Sequence, residues 1–143
     1  MNVIDPRQVI LTIALLTISV GCQRSSASRI FIDFDSPPSG VTTGTVVMMN
    51  GTPIGVTEDA TVVQLEKPKV RVPVTLVESI ETLPSETIFH VTNRAGRTAI
   101  VGEPGGSVAV RVGRNDPLVF AGAATNIDLL LLRARRFVDD VLR

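Results

Sequence analysis

The sequence predicts an all-β domain, a small barrel, followed by a single amphipathic helix. Valine, threonine and glycine crowd the middle of the chain and nine prolines interrupt it, a composition that favours short strands over helices. Gly40 to Val56 reads as a glycine-framed hairpin, with Thr45 to Met49 answering Thr52 to Val56 across Asn50-Gly51, the dipeptide best suited to a two-residue type I′ turn. Gly44 and Gly55 bracket that pair, and a glycine at a strand end marks a bulge, a corner or a close backbone approach, as a sheet that bends sharply to close requires. Apolar residues recur at helical spacing only near the C-terminus.

At 143 residues, with 14 basic and 14 acidic side chains, the chain is sized for one domain plus whatever its ends do. Charge balance, with no Trp or Tyr and five Phe, supplies neither a phosphate-neutralising surface nor a base-stacking platform, which argues against nucleic acid. One cysteine excludes an intrachain disulfide.

In chain order, Val9 to Val20 is an apolar run after Arg7 that ends at small residues, the layout of a secretory signal and shorter than the ~20 residues of a membrane-spanning helix. Ser19-Val20-Gly21-Cys22 ends like a bacterial lipoprotein cleavage box. Residues 1–21 therefore read as a lipoprotein-like signal, and Cys22 as the lipidated first mature residue that anchors the domain to a membrane in an extracytoplasmic, periplasmic space. An uncleaved anchor, or an ordinary signal with an inert buried thiol, is the alternative. Residues 22–29 form a short polar tether.

The barrel is expected over residues 30–113. In Arg29 to Asp35, Ile30, Ile32 and Phe34 share one face and Asp33 and Asp35 the other; the carboxylates form a solvated face or, less economically, part of a hard-cation site. Ala60 to Leu65 is a further strand, and in Val70 to Val77 the apolar face is set by Val70, Val72, Val74 and Leu76, with Pro73 opposite suggesting an edge or bulge. Ile88 to Thr92, Thr98 to Val101 and Ser107 to Val112 complete the set. His90 is the single histidine, which removes Ser/His/Asp and Cys/His catalysis except through that one residue and leaves no His cluster for a metal. Gly102 to Gly106 has no following Gly-Lys-Ser/Thr to cradle a phosphate, and Glu78 and Glu81 lack a partner base. No catalytic residue, metal site or cofactor is expected, although a hydrolase using Glu78 and Glu81 is a competing class.

The order of these pieces resembles the MCE (mammalian cell entry) domain of lipid-transport proteins, including the substrate-binding subunit of systems that maintain outer-membrane lipid asymmetry. Phe31 to Asp35 looks like the opening strand, and Gly40-Val41 with Gly44 resembles the Gly-Leu-x-x-Gly turn. Val46 through Gly51-Thr-Pro-Ile-Gly55 is similar to the strand, turn and Gly-Val-x-Val-Gly segment, Val70 to Leu76 to the next strand, and Leu83 to Thr87 to an Ile-Pro-Asp-type turn. The resemblance implies a seven-stranded β-barrel that assembles as a homo-oligomeric ring, typically a hexamer, passes phospholipid through a central pore, and works with an ABC permease and ATPase. In the family a loop tip with paired leucines lines the pore; Arg94, Ala95, Gly96 and Arg97 stand at the matching tip here, charged where leucines would be. Either the arginines form a ring that favours phosphate, or they face solvent on an ordinary hairpin.

Thr125 to Asp128 has capping-box spacing, and Ile127, Leu130, Leu131, Ala134, Phe137, Val138 and Val141 recur at helical intervals, so residues 125–143 are predicted as an amphipathic helix. Leu129 and Leu132 widen the apolar face beyond what one small barrel needs, which suggests a partner surface. The resemblance implies subunit association, the alternatives being a helix that closes one barrel end or, against its two aspartates, a membrane-surface helix. The function expected is an extracytoplasmic phospholipid-binding or transport component; the alternative is a monomeric membrane-anchored ligand-binding or scaffolding lipoprotein without a pore.

Overall fold

A computed structural model describes residues 27–113 and 115–143; the signal-like segment, Cys22 and most of the tether lie outside the described residues. Among the described residues, ten strands and one helix follow in order: β1 Arg29–Phe34, β2 Val46–Met49, β3 Thr52–Thr57, β4 Thr61–Val63, β5 Lys69–Leu76, β6 Thr82–Pro84, β7 Ile88–Arg94, β8 Arg97–Glu103, β9 Ala109–Arg111, β10 Leu118–Ala123 and α1 Asn126–Leu142. The main sheet runs β1-β10-β7-β8-β2-β3-β5 and closes through a β1–β5 pairing into a seven-strand barrel, with β4 continuing the β3 edge of β5.

One barrel strand, β10, falls beyond the stretch 30–113 that the sequence assigned to the barrel. It lies parallel between β1 and β7, so the barrel runs on to Ala123. Conversely, β9 leaves the barrel to form a two-stranded ribbon with β6, and this ribbon lays Leu83 over the core next to Val112.

The interior is filled. Ile30, Ile32, Phe34, Val47, Val72, Val74, Phe89 and Ile100 have no exposed surface, and Phe89 meets Phe120 edge to face at 5.6 Å. Gly122 on β10 makes room for this packing: a Cβ there would stand 2.7 Å from both the Phe34 ring and Ile32 Cγ2.

The β2–β3 hairpin turns on Asn50 (φ 53) and Gly51 (φ 76), both left-handed as a type I′ turn demands. Its register slips between Val47 and Met48, so Ile54 and Gly55 together face Val47 in a β-bulge. At this bend Gly55 passes so close to β5 that a Cβ would sit 2.4 Å from the Thr75 carbonyl oxygen. Upstream, the Gly44 turn is clamped by threonines: Thr57 Oγ1 donates to the Thr42 carbonyl (2.6 Å) and accepts from Thr45 N (3.0 Å).

Two expectations change. Asp33 is not a solvated carboxylate: it is 8% exposed and gripped by Arg71, whose Nε and guanidinium terminus donate to its two oxygens at 2.8 and 3.0 Å. This hydrogen bond and the charge of Asp33 raise the Arg71 pKa above its ordinary value against the opposing effect of burial, while Lys69 takes Asp35 at 3.1 Å. Pro73 sits mid-strand rather than at an edge. Its carbonyl accepts from Glu58 N, so its missing donor faces the break between β3 and β4, where no ladder bond is lost.

The Gly55 contact yields a direct test. Gly55→Ala drives a methyl group into backbone that cannot swing aside, and chemical denaturation should show a loss of about 1–3 kcal/mol, the usual range for overpacking. An unchanged unfolding midpoint would contradict the close approach.

Candidate functional site

The β7–β8 hairpin carries Arg94, Ala95, Gly96 and Arg97 at its tip. Ala95 (φ 51) and Gly96 (φ 74) make the same two-residue left-handed turn as Asn50-Gly51, so the segment is a tight hairpin end rather than an extended loop. Arg94 and Arg97 are cross-strand partners, which sets like charges directly opposite one another. Among the described residues, no carboxylate lies within ion-pair distance of either. Behind them, Thr98 Oγ1 donates to Asn93 Oδ1 at 2.6 Å and fixes the base of the tip.

From this tip a groove of about 540 Å³ runs along the outer wall over the parallel β2–β8 pair towards Gly51. Its floor is Val46, Met48, Ala99 and Val101, and Arg94 and Arg97 stand at one end. A second shallow trough of about 280 Å³, lined by Pro53, Val56 and Val77, meets the first at Val46. This floor was missed in the sequence, although a signal existed. Val46-Val47-Met48-Met49 is apolar at every position, so β2 shows both the barrel and the outside an apolar face.

The other end of the β7–β8 wall is covered by α1. Thr125 caps the helix, accepting from Asp128 N at 3.1 Å. Leu129 packs with Ile88 and Ala123, with Leu132 beside them, and arginines flank this contact. Arg133 donates to Glu103 at 2.9 Å, Arg136 donates to the Glu86 carbonyl at 3.2 Å, and Arg143 pairs with Glu86 at 3.1 Å. The side that meets the barrel is thus the narrow one. The main apolar stripe, Ile127, Leu130, Leu131, Phe137, Val138 and Val141, points to solvent, with Ile127 71% and Phe137 69% exposed.

His90 lies between groove and helix on the same outer wall, half-buried opposite Val101. Burial pushes its pKa below the ordinary value, Glu103 pulls it back up, and Arg133 lowers it further. Glu78 and Glu81 are exposed on the connection between β5 and β6.

No protein-family profile matches this sequence, and no curated protein matches it. Among solved structures, the fold is similar to a chain of the Acinetobacter MlaFEDB complex in its ATP-bound Vtrans1 conformation, with a TM-score of 0.55 over 87% of this chain and 95% of that one, at 12% identity. The chain folds as an MCE-type barrel. At that identity the likeness is one of fold. Among the described residues, no helix of this MCE-type barrel is long and apolar enough to cross a membrane.

Two measurements probe the site. Ala95 holds a left-handed conformation that costs a Cβ-bearing residue roughly 1–2 kcal/mol, so Ala95→Gly should raise the thermal midpoint by the part of that cost not lost to added chain entropy; a lower midpoint would contradict the turn geometry. His90 is held neutral in the fold where the unfolded chain would be protonated. Its contribution is complete above about pH 6.5 and is lost as pH falls through the depressed folded pKa. Denaturation across that window should show stability falling towards acid, with a flatter slope in His90→Asn.

Proposed function

We propose that this chain is the extracytoplasmic, membrane-anchored phospholipid-binding component of an MCE-type intermembrane lipid transport system, assembled as a ring. What carries this function is the MCE-type barrel itself: sequence pieces that resemble the family, in family order, fold into the architecture found in a chain of the MlaFEDB complex.

A filled lumen supports a ring. With Phe34, Phe89 and Ile100 buried at the barrel centre, a lipid finds no route through one copy, and a conduit has to lie between copies or along their outer walls. The α1 stripe supports self-association: Ile127, Ala134 and Val141 repeat at seven-residue intervals, as do Leu130 with Phe137 and Leu131 with Val138, the pattern of a helix that packs on another helix. Cys22 is proposed as the lipid anchor. Movement of lipid would draw its energy from a partner ATPase through an ABC permease, and the chain would bind or conduct without catalysing a reaction.

The second possibility, a monomeric ligand-binding lipoprotein, is favoured by one observation: the tip that would line the pore carries Arg94 and Arg97 on a short turn. Native mass measurement in mild detergent separates the two. A ring gives a stable multiple of the protomer mass, and Leu131→Glu with Val138→Glu, both at exposed positions, should reduce it to monomer with the melting temperature kept. Extraction of purified protein should recover phospholipid. A native chain that stays monomeric at high concentration sinks the ring, and an α1 variant that keeps the ring while losing binding to neutral vesicles would make the stripe a membrane-surface face instead.

A further inference from the structure

Resting on the lipid-binding function proposed above, we infer that the outer-wall groove over β2 and β8 is a binding site for an anionic amphiphile, with Arg94 and Arg97 holding a phosphate-bearing headgroup and the apolar floor holding the start of an acyl chain. This site is on the outside of one barrel and is complete within one copy.

Charge decides the occupant. Arg94 and Arg97 face each other across the β7–β8 ladder, and like charges so placed repel. No carboxylate within ion-pair distance relieves them among the described residues; Arg111 and Arg135 share that lack, but Arg94 and Arg97 are the two that stand opposite a like charge across a strand ladder. An anion seated between the two guanidinium groups converts repulsion into charge-assisted hydrogen bonds, and a guanidinium presents a planar fork of donors that matches phosphate oxygens. Immediately behind the arginines the surface turns apolar. Val46, Met48 and Val101 line a floor without a charged side chain, and the trough past Val56 and Val77 extends it. From Arg97 to Val101 the strand advances about 13 Å at ~3.3 Å per residue, room for the upper part of an acyl chain. A free anion would satisfy the arginines and leave this floor wet; a lipid of no net charge such as phosphatidylcholine would cover the floor but bring its own cation beside the arginines with its phosphate, restoring part of the repulsion. One molecule with both parts answers both.

The test uses the full chain, incubated with vesicles of equal parts phosphatidylglycerol and phosphatidylcholine, reisolated, and its bound lipid extracted and quantified. The native protein should hold phosphatidylglycerol over phosphatidylcholine by about tenfold, the scale of one charge-assisted contact. Arg94→Gln with Arg97→Gln should bring the ratio close to one, with total lipid and melting temperature retained, because both residues lie exposed at a turn and their removal relieves repulsion. Lys67→Gln with Arg111→Gln removes the same charge from exposed positions elsewhere and should leave the preference intact. Recovery of no lipid from the native protein overturns the transport function itself. Recovery of both lipids in equal amounts, or a preference that survives in the Arg94/Arg97 variant or vanishes equally in the Lys67/Arg111 variant, overturns the site alone. So does complete displacement of phosphatidylglycerol by inorganic phosphate, which makes it a simple anion site, or a change in the variant's oligomer mass with the lipid ratio unaltered, which makes the groove a contact between copies.

Discussion

Closing seven short strands on themselves leaves a lumen only as wide as the side chains that fill it, and here the filling includes the rings of Phe34, Phe89 and Phe120. Rings of that size fit because some strand positions that look inward are glycine. Gly122 leaves the space taken by Phe34, and Gly102 leaves the space between Phe89 and Met49, where a Cβ would lie 2.9 Å from the Phe89 ring and 2.8 Å from Met49 Cε. Such a core is close-packed and resists deformation. Whatever this domain binds is therefore met by its exterior.

That exterior is ordered along the β7–β8 wall. At one end Ile88 and Ala123 receive Leu129 and anchor the helix; at the other the strands run out to a pair of opposed arginines; His90 lies between. The helix contact shows which forces operate. Exposed ion pairs such as Arg143 with Glu86 contribute ~0–1 kcal/mol each, so the apolar contact of Leu129 and Leu132 supplies much of the hold, and the arginines add only a weak preference for one rotation of α1 about its axis. That rotation keeps the long apolar stripe clear of the barrel.

Much of this was legible in the sequence where one local rule sufficed. Asn50-Gly51 demanded a type I′ turn, alternation in Ile30 to Phe34 and in Val70 to Leu76 marked half-buried strands, and Thr125 with the helical periodicity behind it marked α1. What escaped depends on distant partners. Leu118 to Ala123 has no alternation and carries an inward glycine, which weakens it as a strand until Phe34 arrives from a strand more than eighty positions earlier. Asp33 reads as a surface carboxylate until Arg71 comes across the β1–β5 pairing to neutralise it, and Pro73 reads as an edge or bulge residue until the β3–β4 break is found opposite. The tip arginines were visible as residues, but their groove was not: it needs β2 beside β8, a parallel pairing that no local pattern announces.

The orientation of α1 leaves its apolar stripe uncovered among the described residues. A helix with one wide apolar face and one mixed face normally buries the wide one, since each buried large apolar side chain is worth ~1.5–3 kcal/mol. Here Leu129 and Leu132 meet the barrel while Phe137, Val138 and Val141 stay in solvent. A rotation about the helix axis that buried the stripe would break the pairs to Glu86 and Glu103 and carry Arg133 and Arg136 away from the barrel, but such exposed pairs are too weak to outweigh the apolar gain. Nothing else among the described residues covers the stripe. A second helix laid on the seven-residue repeat would bury the stripe without disturbing the arginine contacts, which is how the proposed ring would satisfy both faces of α1.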